Sequence, residues 1–313
     1  MKLQFTTLMM ILVIFINAQM GDYYIPQNKN NLIRNELKGN VKYTSTTEWK
    51  MVVKFGDPVK STKVKTSEDY YGKTGNYEKR IFTGDEYEGK RTYTYFYNKK
   101  DLIEEIKITP LKNYPTRFTF LYNDEGKIIE KNQYSKKNEL NYKDKYKYGN
   151  YGPTSIAQYE GNGNLYSKKE YEWNSKSQKM EENEFGSKEE PLKMTSYAYN
   201  GNGDMLWFSE VEKKPGKEIT EYEYDYFYNS KNQKIKTISD YDGYKVETLY
   251  TYDANGNLTK REKKYPKDKE FSFYDQYTYT YDSTGNWLTE LHEFLNDAQE
   301  RTFELREREI KYW

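Results

Sequence analysis

The sequence predicts an all-β fold, a long antiparallel meander sheet of about nine two-stranded repeats that is twisted, coiled and open at both ends. Three observations support this prediction. A short aromatic and turn signature recurs at a regular interval, no stretch shows a sustained apolar period of 3.6, and tyrosine replaces much of the usual aliphatic content. Little helix is therefore expected beyond the first 20 residues.

The signature is clearest in YTYDANGNL (250–258) and YTYDSTGNW (279–287), and it recurs in YAYNGNGDM (197–205) and FLYNDEGKI (120–128). We take the second aromatic residue of each copy as its anchor. The nine anchors are Tyr71, Tyr97, Tyr122, Tyr148, Trp173, Tyr199, Tyr228, Tyr252 and Tyr281. Successive anchors are 26, 25, 26, 25, 26, 29, 24 and 29 residues apart. This interval accommodates two strands and two turns per repeat, or about 18 strands in all.

The residues after each anchor predict a tight hairpin. Asp or Asn at the first turn position with Gly at the fourth is typical of a type I turn followed by a G1 bulge. Six copies have Gly four residues after the anchor, and the other three have Asp101, Ser177 and Asn232 there. This geometry places Tyr252 opposite Leu258 and Tyr250 opposite Lys260. We expect NSKSQKM (174–180) and NSKNQKI (229–235) to form loops one residue longer.

Three segments follow in order along the chain. Residues 1–18 are predicted to be a signal peptide, with Lys2, the apolar run LMMILVIFI (8–16) and a cleavage region near Asn17-Ala18. Residues 19–70 form a lead-in, in which the alternating segment 41–56 predicts an entry strand or hairpin. Residues 71–313 form the repeat array. The apolar run is too short to span a bilayer, so no transmembrane segment is expected in the mature chain.

The composition of the chain separates it from disordered and nucleic-acid-binding proteins. Ile, Leu, Val and Phe make up only 56 of 313 residues, but 36 tyrosines supply apolar area. The 50 Lys and Arg are balanced by 49 Asp and Glu, so no nucleic-acid partner is expected. The chain has no cysteine, so we expect no disulfide, thiolate metal site or acylated cysteine.

An outer-membrane barrel is the main alternative fold. About 18 antiparallel strands, many tyrosines and a terminal Trp313 would suit one. Such a barrel needs an apolar band facing lipid, whereas segments 258–265 and 183–190 have charges on both alternating sets of residues. The sequence therefore disfavours a membrane barrel.

The Tyr-x-Tyr-Asp-x-x-Gly-Asn-Leu core resembles the YD repeats of bacterial Rhs-type proteins. The resemblance covers about 71–313 and is most specific at 252–258 and 281–287. It implies an antiparallel sheet that coils on itself, closing in the largest members into a hollow shell around a toxin, and it implies carbohydrate binding. This chain is much shorter and lacks their autocleavage signature and C-terminal effector, so a curved, open sheet is expected.

Catalytic and metal-binding signals are weak. His292 is the only histidine, no GxSxG motif is present, and the many acids do not single out a catalytic pair. Asp253, Asn255 and Asn257 suit a turn better than a calcium loop, which needs twelve residues and a closing Glu. We therefore predict a protein that is not an enzyme and that uses no metal or cofactor.

The sequence favours a secreted binding module for carbohydrate or cell-envelope polysaccharide. Exposed aromatic rings on a sheet can stack on sugar rings. Trp207, predicted to lie opposite Tyr197 and beside Phe208, is the main candidate, followed by Trp173 and Trp49. The alternative is a structural scaffold or a β-shell that encloses a protein partner. In either case we expect an exported protein, periplasmic or extracellular.

Overall fold

The computed structural model describes residues 37–83, 89–109, 116–212, 220–241, 243–265, 272–295 and 300–313. The predicted signal peptide at 1–18 and residues 19–36 of the lead-in lie outside these residues. No described residue is helical. The all-β prediction is therefore confirmed for the described part of the chain.

Twenty strands form one sheet. They are β1 (Val41–Lys54), β2 (Asp57–Tyr71), β3 (Tyr77–Thr83), β4 (Lys90–Tyr97), β5 (Ile103–Thr109), β6 (Arg117–Tyr122), β7 (Ile128–Tyr134), β8 (Leu140–Tyr148), β9 (Pro153–Glu160), β10 (Leu165–Trp173), β11 (Lys179–Phe185), β12 (Pro191–Tyr199), β13 (Met205–Glu212), β14 (Thr220–Tyr228), β15 (Lys234–Tyr241), β16 (Tyr244–Tyr252), β17 (Leu258–Lys264), β18 (Ser272–Tyr281), β19 (Trp287–Leu295) and β20 (Arg301–Tyr312). Each strand pairs antiparallel with the next one in the chain.

The sheet closes on itself. β1 pairs antiparallel with β20, in a ladder that runs from Val41 opposite Tyr312 to Lys50 opposite Glu304. The prediction of an open-ended sheet is therefore wrong, because the fold is a closed 20-stranded antiparallel barrel. The physical reason is that the first strand of the lead-in supplies the edge that the last strand needs, and pairing them satisfies two rows of backbone donors and acceptors. The predicted entry segment, 41–56, forms β1 and the turn to β2 and is thus part of the barrel wall.

The anchors occupy equivalent places in the barrel. Each even-numbered strand from β2 to β18 ends at one of the nine predicted anchors. β20 ends at Tyr312, which is a tenth anchor that the sequence pattern did not identify. All ten anchors therefore lie near the same end of the barrel, which we call the anchor end.

Beyond the predicted G1 bulge, the repeat hairpins contain a second bulge that the sequence did not predict. Tyr252 lies opposite Leu258 as expected, but Thr251 pairs with Lys260, so Tyr250 lies opposite Arg261 rather than Lys260. Thr259 is the additional residue. The same register shift occurs beside the anchors of β12, β14 and β18. This shift determines which side chains share a face, because one residue of slip exchanges the two faces of a strand.

The predicted turn geometry is present in most repeats. In the Asp253 turn, Gly256 has a φ of 92°, and its N–H donates to the Asp253 carbonyl over 3.2 Å. The two loops expected to be longer are not, because Trp173 pairs with Lys179 and Tyr228 with Lys234 as in the other copies.

Residues other than glycine also adopt the left-handed turn conformation. Ser177 and Asn232 each have a φ of 58° at the position that glycine occupies elsewhere. Gly152 is an exception, because the Gly149 N–H donates directly to the Gly152 carbonyl in a tighter turn. A Cβ on Gly152 would lie 2.5 Å from the Trp173 ring, so this glycine provides space for the anchor.

We call the face that carries the anchors the inner face. Both hydrophobic clusters lie on it, one around Tyr71 and Tyr77 and the other around Ile106 and Phe118. The opposite face is strongly charged. On β15–β17, for example, the outward positions include Lys236, Lys245, Glu247, Lys260 and Glu262. This part of the outer face lacks the apolar band of a lipid-facing barrel.

Candidate functional site

Several anchors join neighbouring repeats through hydrogen bonds. The Tyr252 hydroxyl donates to the Lys234 carbonyl over 2.8 Å, and the Tyr228 hydroxyl donates to the Met205 carbonyl over 2.9 Å. Trp173 does the same with its indole N–H, which donates to the Pro153 carbonyl over 2.7 Å. Each acceptor is the first residue of a strand in the preceding repeat. The polar groups of these three anchors are therefore satisfied within the wall.

The last two anchors use the preceding turn. The Tyr281 hydroxyl donates to the Asp253 carboxylate, and the Tyr312 hydroxyl donates to Asp282. Burial raises the pKa of both carboxyl groups, but these hydroxyls and the turn N–H groups lower it more. Hydrogen bonds in and to the turn thus occupy the carboxylate oxygens that might have suggested a calcium site. Among the described residues, no group of three His, Cys, Asp or Glu side chains is placed to hold a metal.

Aromatic rings line the inner face of β12–β18. Phe208 stacks on Tyr224 with ring centroids 4.4 Å apart, and Tyr222 lies 4.7 Å from Tyr241. The described inner tyrosines of β14 and β16 are only half-buried. This part of the wall is therefore an accessible aromatic surface rather than a packed core.

Charged side chains on the inner face are paired across strands. Arg80 binds Asp69 at 2.7 Å, and Arg261 binds Asp275 at 2.6 Å. Glu182 bridges Lys169 and Lys179 at 3.0 and 2.5 Å. Burial raises the pKa of Glu182, but the two ammonium groups more than offset it and bring the pKa to about 2. These charged groups of the inner face are therefore held in neutralising pairs.

His292 belongs to one of these networks. Its Nε2 lies 2.9 Å from Asp275 Oδ1, its Nδ1 lies 3.8 Å from Glu304, and its ring stacks on Tyr277 at 4.4 Å. Burial lowers the pKa of His292, but the hydrogen bond to Asp275 and the nearby Glu304 carboxylate raise it overall. The neighbours are carboxylates and rings, which hold the imidazole in place and favour its protonated form.

The predicted pair of Trp207 and Tyr197 lies on two different faces. The bulge next to Tyr199 places Trp207 opposite Ala198 and leaves Phe208 opposite Tyr197. Tyr197 points inward, where Lys179 lies over its ring at 4.6 Å. Trp207 is half-buried on the outer face. The prediction that these two rings face each other is therefore wrong.

Trp173 and Trp49 also lie apart. Trp173 is an inner-face anchor that packs against Gly152. Trp49 lies on the outer face of β1, donates its indole N–H to Glu307 over 3.0 Å and has Lys60 over its ring. The four predicted binding residues therefore form no common site.

A cavity on the inner face was missed by sequence reasoning. It has a volume of about 570 Å³ and extends over β19, β20 and β1–β4. Its lining includes Trp287, Arg306, Arg308, Lys65, Arg80 and Tyr95. Alternating arginines in ELREREI (304–310) are the sequence signal, but the cavity itself arises only because closure brings β20 beside β1 and β2.

Comparison with solved structures gives weak similarities. A porin-like protein from Bacteroides uniformis is 11% identical with a TM-score of 0.37, covering 88% of this chain and 99% of that one. A porin-like protein from Bacteroides vulgatus has the same identity and coverage with a TM-score of 0.32. TcdB2-TccC3 without its hypervariable C-terminal region is 12% identical with a TM-score of 0.32, and the match covers 85% of this chain and 16% of that one.

No family model and no curated protein matches the chain. Within the residues that the structure describes, no helix has the length and apolar character needed to cross a membrane.

Proposed function

We propose that this protein is an exported, non-enzymatic β-shell that encloses a segment of a partner polypeptide. The observation that carries the proposal is the β1–β20 ladder, which turns a row of repeats into a closed wall. A wall of this kind has an interior that a flat sheet lacks. The predicted leader and the YD-type motif support export and a repeat shell, respectively.

The chemistry of the inner wall suits a polypeptide occupant. Half-buried rings such as Tyr224 and Tyr226 offer apolar faces with a polar edge. Burial raises the pKa of both hydroxyl groups, so they stay protonated as hydrogen-bond donors at neutral pH. Most of the inner charges named above already have partners, which limits the electrostatic cost of burying an uncharged segment against them.

The four aromatic residues predicted to bind carbohydrate differ in whether they are already used in other contacts. Trp173 is used as an anchor, and Trp49 is bound to Glu307. Trp207 lies on the outer face, opposite Ala198 and on the other side of the wall from Tyr197. The scaffold alternative therefore agrees better with the arrangement of the rings.

Enclosure can be tested with neighbouring cysteines, because the natural chain has none. Tyr226 points inward, whereas Phe227 points outward, is 39% exposed and serves as the matched control. We expect Phe227→Cys to react with a small maleimide and with a large polymer-linked maleimide. Tyr226→Cys should react only with the small reagent. Equal reaction of both cysteines with the large reagent would contradict enclosure.

The occupant can be tested by placing a photo-crosslinking amino acid at the same two positions in the exporting organism. We expect position 226 to yield a defined adduct that mass spectrometry maps to one extended segment of one protein. That purified segment should then bind the barrel saturably. Adducts that form equally from position 227, or an adduct at 226 that carries only polysaccharide, would overturn the proposal of a polypeptide occupant.

A further inference from the structure

The lining of the cavity over β19, β20 and β1–β4 has an excess of positive charge. Its lining contains five cations, Lys65, Arg80, Arg91, Arg306 and Arg308. The same lining has only two carboxylates, Glu48 and Asp69. A partly enclosed space with this balance attracts anions, because low-dielectric walls strengthen the field of the unbalanced charges.

Most of the charged groups around the cavity are paired. Asp69 binds Arg80 at 2.7 Å. Glu48 lies 2.9 Å from Lys65 and 3.6 Å from Arg306. Arg306 also binds Glu290 at 2.9 Å. The two lining carboxylates are thus already shared among the neighbouring cations.

Arg308 differs from these groups. Its guanidinium carbon lies 3.4 Å from the centre of the Trp287 ring, so the ring holds it in place. It makes no hydrogen bond or ion pair with any described residue. Burial lowers the pKa of Arg308 to about 10, which reflects the cost of holding this charge without a close anion.

The side chain of Arg308 lines the cavity. Arg308 lies opposite Thr46 on β1, and both residues line the cavity. Arg306 is two residues away on the same strand face, at a spacing of about 7 Å. A guanidinium stacked on an indole keeps its N–H donors in its own plane, so an uncovered edge can bind both oxygens of an oxyanion in the cavity.

We propose that this cavity is a binding site for a ligand that bears a carboxylate or another oxyanion, with Arg308 as its main contact. The site does not depend on the polypeptide occupant proposed above. Trp287 orients the guanidinium, and Arg306 adds a second positive charge near the anion. Tyr95 and neighbouring rings provide apolar walls for the remainder of the ligand.

The test is a titration of the purified mature chain in which tryptophan fluorescence reports binding. The probes are acetate, galacturonate, sulfate and phosphate, with chloride as the control for ionic strength. We expect a saturable change with at least one oxyanion, and Trp287→Phe should remove that signal. The rank of the four probes distinguishes a small organic acid, a sugar acid and an inorganic anion. A response that chloride reproduces at equal ionic strength would overturn the proposal.

Two variants connect the signal to Arg308. Arg308→Gln should weaken binding about tenfold or more, because a bidentate charged contact is lost. The matched control, Arg301→Gln, changes an exposed arginine on the same strand that binds Glu293 at 2.7 Å, and it should bind like the natural chain. Equal affinity of all three proteins would contradict the proposal.

A further variant keeps the proposal testable if Arg308→Gln does not fold. Thr46→Glu keeps Arg308 and places a carboxylate opposite it on the neighbouring strand. We expect this internal anion to raise the melting temperature and abolish binding of the probes. Undiminished binding by folded Thr46→Glu would overturn the assignment.

Discussion

The hydroxyl of Tyr252 donates a hydrogen bond of 2.8 Å to the backbone carbonyl of Lys234, which lies 18 residues earlier in the preceding repeat. Burial raises the pKa of Tyr252, so its hydroxyl remains a donor at neutral pH. Tyr228 and Trp173 make the equivalent bond in their own repeats. The anchor aromatic therefore connects one repeat to the next.

Tyr252→Phe should lower the free energy of unfolding by about 0.5–1.5 kcal/mol, because the Lys234 carbonyl loses this partner while the ring remains. Urea unfolding measures the change. Tyr151→Phe is the control, since Tyr151 is 46% exposed and its hydroxyl has no partner among the described residues. A loss that is equal in both variants would show that the anchor hydroxyl has no special role.

A disulfide between Ser45→Cys and Glu309→Cys should form on oxidation. These residues lie directly opposite each other across β1 and β20, although they are far apart in sequence. Opposed residues on antiparallel strands have Cα atoms about 4.5–5.5 Å apart, within reach of a disulfide. Non-reducing electrophoresis and peptide mapping would detect the link. The pair Ser45→Cys and Thr251→Cys, also on the outer face, should remain reduced, and failure of the first pair to link would argue against closure.

Glu182→Gln should destabilise the barrel by about 1–3 kcal/mol near neutral pH, because two partly buried lysines lose their shared carboxylate. The pKa of Glu182 is about 2 in the folded protein, below its ordinary value of 4.5. Its contribution is therefore complete above about pH 4.5 and is lost as the pH falls toward 2.

Urea unfolding of the natural chain and of Glu182→Gln, at about pH 6 and about pH 3, tests this pH dependence. The difference between the two proteins should shrink at the lower pH. Glu170→Gln provides the control, because its bond to Lys168 involves a carboxylate that is 45% exposed, and such pairs contribute little. A difference that does not change with pH would contradict the assignment of the pKa shift to Glu182.

Phe55→Asn should stabilise the protein by about 1 kcal/mol. Phe55 has a φ of 54° in the two-residue turn between β1 and β2, and its side chain is fully exposed. Asn tolerates this conformation much better than an aromatic residue, and Asn-Gly is the preferred pair in such hairpins. Thermal unfolding tests the gain, with Gly56→Ala as a destabilising control because Gly56 has a φ of 94°. A lower melting temperature for Phe55→Asn would show that the Phe55 ring makes a stabilising contact.

Local patterns predicted the repeat units well. Asp253 and Gly256 specify their turn through local hydrogen bonds and backbone conformation, so the hairpin and the Tyr252–Leu258 pair could be predicted. The bulge at Thr259 could not be predicted, because it depends on the pairing register along the whole of two strands. For this reason the faces of Trp207 and Tyr197 were assigned wrongly.

The sequence by itself determined the strand and turn content, the nine repeats and the tyrosine-rich, charge-balanced surface, because these depend on contacts among nearby residues. Only the tertiary structure decided that the ends meet, that Tyr312 is a tenth anchor and that Arg308 stands beside Trp287 and β1. Closure depends on the accumulated twist and register of all twenty strands. No local sequence pattern encodes this accumulated twist and register. The cavity that closure creates is therefore a property of the folded barrel alone.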